Sequence, residues 1–148
     1  MQTFLPFEDF KKSAKCLDMK RLGKQRVECK QIILALVENH GWINHPAVKM
    51  WKGYEKSLIR YAKIICEEWI SRGYKDTLLD WFSKYEISKT FSDYCTNNQV
   101  KDCDPPWNKS SEFHISHQSN LLRKDNEFYK YKGFQTQDST IEYVWPKN

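Results

Sequence analysis

Little punctuates this chain. Five glycines and five prolines serve 148 residues, and between those joints apolar side chains recur every three or four positions rather than in alternation. That spacing argues against a strand-dominated fold and predicts an all-α one. Nothing approaches an apolar run of membrane-spanning length, and Glu8, Asp9, Lys11 and Lys12 break up the start of the chain, so no secretory apolar core fits there. The five cysteines, Cys16, Cys29, Cys66, Cys95 and Cys103, include no C-x-x-C pair, and their odd number leaves one over in any disulfide scheme. A reducing compartment is the simplest reading, and with it an intracellular protein of cytoplasm or nucleoid. Cys29 and Cys66 fall among apolar helical positions and read as packing thiols. Also missing are a phosphate-cradling Gly loop, a dinucleotide fingerprint, a G-x-S-x-G elbow and an H-E-x-x-H pair, which argues against nucleotide hydrolysis and serine chemistry. No cofactor and no metal are expected.

What the chain does have is a moderate cationic excess, 24 Lys+Arg against 19 Asp+Glu, for a formal charge of +5 and a pI near 8.9. At that size the placement of the cations matters more than their sum. One domain, residues 1–148, suffices at this length, with about two-thirds of the unfolded surface buried and no staple needed. It reads as a compact bundle of about three main helices with irregular connections. A short helix covers Pro6 to Lys15. Asp18 N-caps the next, in which Leu22, Arg26, Cys29, Ile33 and Leu36 run down one face to about Asn39. Pro46 opens a third, where Val48, Trp51, Tyr54, Leu58, Tyr61, Ile65 and Trp69 step by three or four until Gly73. Its outer face carries Lys49, Lys52, Lys56, Arg60 and Lys63, either a solvated surface or part of an electrostatic footprint. A short helix near Leu78 to Lys84 precedes an aperiodic stretch, Lys89 to Lys109, read as an irregular surface excursion. A last helix covers about Ser116 to Tyr129.

Two clusters could carry chemistry. Lys20, Arg21, Lys24, Gln25, Arg26 and Glu28 crowd the opening turns of the second helix, and Arg21, Gln25 and Glu28 share a face. A carboxylate among cations suits general acid/base work beside bound phosphates; the bland alternative is an ion-pair ladder from Glu28 to Arg21 or Lys24. The second cluster is Arg123-Lys124 followed by Phe128-Tyr129-Lys130-Tyr131-Lys132-Gly133. Its cations would neutralise phosphates and its rings Tyr129 and Tyr131 would stack on bases, unless one or two of them pack in the core. His45, His114 and His117 read as hydrogen-bonding or phosphate-contacting histidines, with a shared metal as the alternative.

The order of these motifs resembles that of the pyrimidine-dimer DNA glycosylases of the phage endonuclease V type, above all a bacterial and viral branch of that family. The resemblance runs through Leu17 to Glu28, Asn44 to Trp51 and Glu68 to Thr77, then resumes at Pro105-Pro106-Trp107, His114 to Asp125 and Phe128 to Gly133. It implies a single all-α domain that bends double-stranded, damaged DNA, extrudes a nucleotide and cleaves the glycosidic bond of a damaged pyrimidine. It also implies a mechanism in which the N-terminal α-amine forms a Schiff base with the sugar and a β-elimination then cuts the strand. An α-amine suits this because such groups titrate near about 8, leaving a useful neutral fraction. A glutamate early in the basic helix assists. Two positions depart from the family pattern. Gln2 is bulky where the family exposes a small residue, so Met1 stays in place and either its amine takes the role or the lyase step is absent. No glutamate stands at the family's catalytic position; Gly23 or Gln25 falls near it, Glu28 is the nearest carboxylate, and Asp18 is the reserve. Arg21, Lys24 and Arg26 match the family's phosphate-contacting arginines, and Arg123-Lys124 its later basic pair.

The leading expectation is therefore a monomeric DNA repair glycosylase, with or without AP-lyase activity, whose catalytic residues are Met1, Glu28, Arg21 and Gln25. DNA would be held by Lys20, Lys24, Arg26, His45, His114, His117, Arg123, Lys124, Tyr129, Lys130 and Tyr131. The alternatives are a non-catalytic nucleic-acid-binding protein of the same fold, and a metal-dependent nuclease built on His45, His114 and His117.

Overall fold

The computed structural model describes residues 1–147, and every regular element among them is helical: α1 (Phe10–Cys16), α2 (Met19–Glu38), α3 (Pro46–Lys49), α4 (Glu55–Ser71), α5 (Leu78–Glu86), α6 (Lys89–Asn97), a 3-10 turn at Pro106–Lys109, α7 (Ser111–Lys124) and α8 (Asn126–Tyr129). Helices α2, α4 and α7 are the long ones. α2 lies along α4, α1 and α5 flank α4, and α3 packs on α2. Leu22, Cys29, Ile32 and Ile33 from α2 meet Leu58, Tyr61, Ile65 and Cys66 from α4 in the core. Burial pushes the Cys66 thiol up to about 12 and Cys29 well above its ordinary value, so both are inert packing groups. No helix among the described residues is long and apolar enough to cross a membrane.

Four boundaries differ from the sequence expectation. The helix expected from Pro46 to Gly73 is two: α3 ends at Lys49 and α4 begins at Glu55, with Gly53 at φ +91 in the turn between them. The buried Glu55 carboxylate then accepts from Gly53 N (2.9 Å) and from the Tyr94 hydroxyl (2.6 Å), which fastens the break. The periodicity ran through it because Val48, Trp51 and Tyr54 are buried in either conformation. Within the expected irregular excursion lies α6, capped by Ser88 Oγ on Phe91 N (3.2 Å); its buried side is only Phe91 and Cys95, too short a stripe to show a period. The last helix starts earlier, at Ser111, and breaks at Asp125, whose carboxylate caps α8. The first helix begins at Phe10 with Asp9 as N-cap, because the residues before it are engaged elsewhere.

Those residues form an extended segment laid through the middle of the protein, and side chains from three helices satisfy its backbone. Glu28 Oε2 accepts from Gln2 N (3.1 Å), and Gln25 Nε2 donates to Gln2 O (2.8 Å) while its Oε1 accepts from Phe4 N (2.8 Å). The Tyr61 hydroxyl donates to Phe4 O (2.6 Å). His117 Nδ1 accepts from Leu5 N (3.0 Å), a His114 ring nitrogen lies 2.6 Å from Leu5 O, and Gln118 Nε2 donates to Pro6 O (2.8 Å). This explains the composition of α7. A helix that buries His114, Ser116, His117, Gln118, Ser119 and Asn120 is binding backbone on both sides, since unpaired buried polar groups are costly. Its other partner is the C-terminal tail, held by Ile141 N to Ser119 Oγ (2.9 Å) and Val144 N to Ser116 Oγ (3.1 Å).

Candidate active site

Where the extended segment reaches the surface, the opening turns of α2 and the end of α7 enclose a cavity of about 320 Å³ lined by Met1, Gln2, Phe4, Lys20, Arg21, Lys24, Gln25, Glu28, Lys124 and Tyr143. The spacing of Arg21, Gln25 and Glu28 puts all three on the face of α2 that looks into it. Lys20 and Lys24 stand at its rim, exposed to solvent, and Lys124 faces them from α7. The polar geometry converges on Glu28. Its Oε2 accepts from Gln2 N and, at 3.2 Å, from Gln25 Nε2. The expected ladder from Glu28 to Arg21 or Lys24 does not form. Arg21 pairs instead with Asp18 (3.2 Å), whose carboxylate also accepts from the Tyr129 hydroxyl. Burial opposes ionisation of Asp18, but those two partners outweigh it and hold the carboxyl below its ordinary range. Asp18 is thereby a structural clamp, and the reserve role considered for it falls away.

His45 sits beside this cavity as the N-cap of α3, its Nδ1 accepting from Ala47 N (3.0 Å). Its basicity is lowered by burial and by the charge of the Met1 amine, with Glu28 acting in the opposite direction. Its ring edge meets Trp145, which meets Tyr143, which in turn meets His117.

Several expected site residues serve the scaffold. Arg26 points away from the cavity, ion-paired to Asp76 and lying over the Trp69 ring at 4.6 Å. Gly23 also faces Trp69, which a Cβ would meet at 2.9 Å, so Gln25 is the member of that pair that lines the cavity. Gln25 is 1% exposed, and its amide is consumed in holding the extended segment. His114 and His117 are buried on the backbone of Leu5, not set against phosphates, because the segment they hold has no neighbouring strand to satisfy it. Together with His45 they do not converge: among the described residues no group of three or more His, Cys, Asp or Glu side chains is arranged to hold a metal. Tyr129 is fully buried on Asp18 and cannot stack on a base. Tyr131 is 80% exposed, with Lys130 over its ring at 5.1 Å and ion-paired to Glu127 (3.0 Å). Arg123 reaches back to Asn120 and to Ser139 O (2.7 Å), tying the tail to α7.

The family model of the pyrimidine dimer DNA glycosylases matches residues 1–81. The chain belongs to this family. No curated protein and no solved structure gives a significant match. The protein is thus a DNA repair glycosylase in general terms, with DNA as its partner. Every residue lining this cavity lies inside the matched stretch except Lys124 and Tyr143. Tyr143 and Phe4 were not singled out from sequence. Neither carries a local signal: Phe4 reads as ordinary core, and Tyr143 stands in an aperiodic tail.

Proposed function

We propose that the glycosylase removes a damaged pyrimidine from double-stranded DNA by attack of the Met1 amine on the sugar, with AP-lyase cleavage following. The neutral amine forms a bond to C1′ as the glycosidic bond breaks, the base departing with the bonding pair. The attached amine loses a proton and the C1′–O4′ bond opens, its electron pair and a proton going to O4′, to give the imine; this acidifies the C2′ proton, Glu28 takes that proton as the 3′-phosphate leaves, and water then releases the sugar from the amine. Arg21, Lys20, Lys24 and Lys124 hold flanking phosphates, while extrusion of the nucleotide costs a few kcal/mol, less where damage has already weakened stacking. The observation that carries this reading is the Gln2 N to Glu28 Oε2 hydrogen bond. It joins the first peptide of the chain to the one carboxylate of the cavity, under a rim of cations. Because residues from early and late in the sequence line that cavity, residues 1–148 are read as one domain; the protein is proposed to act as a monomer.

Borohydride reduction in the presence of abasic duplex should trap a covalent adduct on the peptide that begins with Met1, and intact mass should show Met1 retained. DNA binding without an adduct and without turnover on dimer-bearing duplex would leave the non-catalytic reading in its place.

A further inference from the structure

Trp42 is placed unlike the other tryptophans. Of the six in the chain, five are buried or half-buried in ring contacts: Trp51 and Trp107 with each other, Trp69 with Tyr74, Trp81 with Tyr85 and Trp145 with Tyr143. Trp42 is 70% exposed, and Ile43 beside it is exposed as well. An indole is among the largest apolar surfaces a side chain carries, and in water it forgoes the burial that the other five obtain. The loop that carries it is nevertheless well determined. Asn39, in the left-handed region at φ 55, closes α2, its N–H and that of His40 both donating to Leu34 O. Gly41 at φ +87 turns the chain, Ile43 N donates to Gly41 O (2.9 Å), and His45 N donates to Trp42 O (3.1 Å). The main chain is pinned on both sides of Trp42, so the indole is held out from the surface. This loop stands on the flank of the cavity. His45, three residues on, sets its ring edge against Trp145 (6.1 Å), and Trp145 meets Tyr143 (5.4 Å), which lines the cavity. The charges of the Met1 amine and of Glu28 both reach His45.

We propose that Trp42 is a wedge: its indole inserts into the base stack of duplex DNA at the damaged step and holds that stack open while the sugar is presented to the cavity. This rests on the glycosylase reading above. Extrusion leaves a gap whose neighbouring bases have lost a stacking partner, and the extruded nucleotide falls back unless the gap is filled. Apolar side chains pushed between base steps keep DNA unstacked and kinked. A flat indole offers a face to the base on either side of the gap, and because every base has such a face the wedge works in any sequence. The rim cations Lys20, Lys24 and Lys124 would hold the backbone on one side of the cavity while Trp42 enters between bases on its flank. Trp42 is a positioning residue and touches no reacting atom.

The direct test uses the full chain and a duplex in which a tetrahydrofuran abasic analogue, which cannot undergo β-elimination, stands beside a 2-aminopurine whose emission reports its stacking. With the duplex saturated, as read by anisotropy, the unaltered chain should change that emission about twofold or more. Trp42→Phe should keep at least about half of the change and Trp42→Ala less than about a fifth. On a duplex with a pyrimidine dimer, Trp42→Ala should slow single-turnover cleavage about tenfold or more, with affinity for undamaged duplex within about threefold. Setting the dimer opposite a mismatched bubble, where the stack is already open, should shrink that loss to less than about threefold. Thermal unfolding checks that each variant is folded, as expected for a change at an exposed side chain. No emission change with the unaltered chain, an equal change with Trp42→Ala, or the same fractional loss of cleavage on paired and bubbled duplex overturns the assignment. So does self-association in sedimentation that Trp42→Ala abolishes while the emission change persists, which would give the indole to a second copy of the chain. An unaltered chain that cleaves neither dimer substrate and yields no borohydride adduct overturns the glycosylase reading itself; the emission change, which needs no turnover, still decides whether Trp42 inserts.

Discussion

Arg26 and Glu28 are two residues apart on α2 and do opposite things. Glu28 faces the cavity, and Glu28→Gln keeps its hydrogen-bonding shape while removing the proposed base; turnover should fall about 100-fold or more with DNA affinity nearly unchanged, read by single-turnover kinetics beside a binding titration. Arg26 faces Asp76, a carboxylate whose side chain has no solvent exposure. Arg26→Ala strands that charge, so it should destabilise the fold by about 3 kcal/mol in urea unfolding and leave the salt dependence of DNA binding where it was. His117 gives a pH dependence of known sign. Burial, helped by the charge of His114, lowers its pKa from 6.5 to about 3. The unfolded chain therefore takes up a proton below 6.5 that the folded chain refuses until about 3. Stability should fall as pH drops through that window, and His117→Gln should flatten the dependence in urea midpoints measured between pH 7 and 4.

At the scale of elements, the close approach of α2 to α4 depends on Gly23, where a Cβ would strike the Trp69 ring. That ring is stacked on Tyr74 at 4.3 Å and covered by Arg26, so it has little room to yield. Gly23→Ala gains about 1 kcal/mol in helix propensity but incurs overpacking of about 1–3 kcal/mol. The net effect should be a loss of about 1 kcal/mol with an altered Trp fluorescence spectrum; a more stable variant would mean that the ring moves freely. The long amphipathic helices were legible in the sequence because their buried stripes are apolar. α7 was legible only in part, since its inward face is Ser, His, Gln and Asn, residues whose type signals solvent and whose job here is to bond a bare segment of backbone. For the same reason the sequence left His114 and His117 open between hydrogen bonding, which they do on the backbone of Leu5, and contact with phosphates. In the sequence Tyr129 reads as a base-stacking ring because alternation with lysine resembles a binding surface; only the Asp18 carboxylate beneath it reveals its place in the core.

Across the whole molecule, the proposed function assigns DNA contacts to the cations at the cavity rim rather than to the outer face of α4. There Lys56, Arg60 and Lys63 are ion-paired to Asp102, Asp104 and Glu86. Lys24→Ala and Lys124→Ala should each reduce the slope of log affinity against log salt by about 0.9, while Arg60→Ala should not change it, as measured by fluorescence anisotropy across a salt series. The α2 half of the candidate site was readable as a cluster. Its convergence with the tail was not, because Tyr143 lies more than a hundred residues from Glu28 and no short-range pattern records the meeting. The extended segment makes the same point about time. Leu5 is bonded to His117, 112 residues further along, so during synthesis the first residues of the chain emerge long before the helix that holds them exists. A ribosome-bound chain halted before α7 should carry its α-amine loose and unreactive, and maturation of the site becomes a late, all-at-once event. On the proposed mechanism, the nucleophile is made first and armed last.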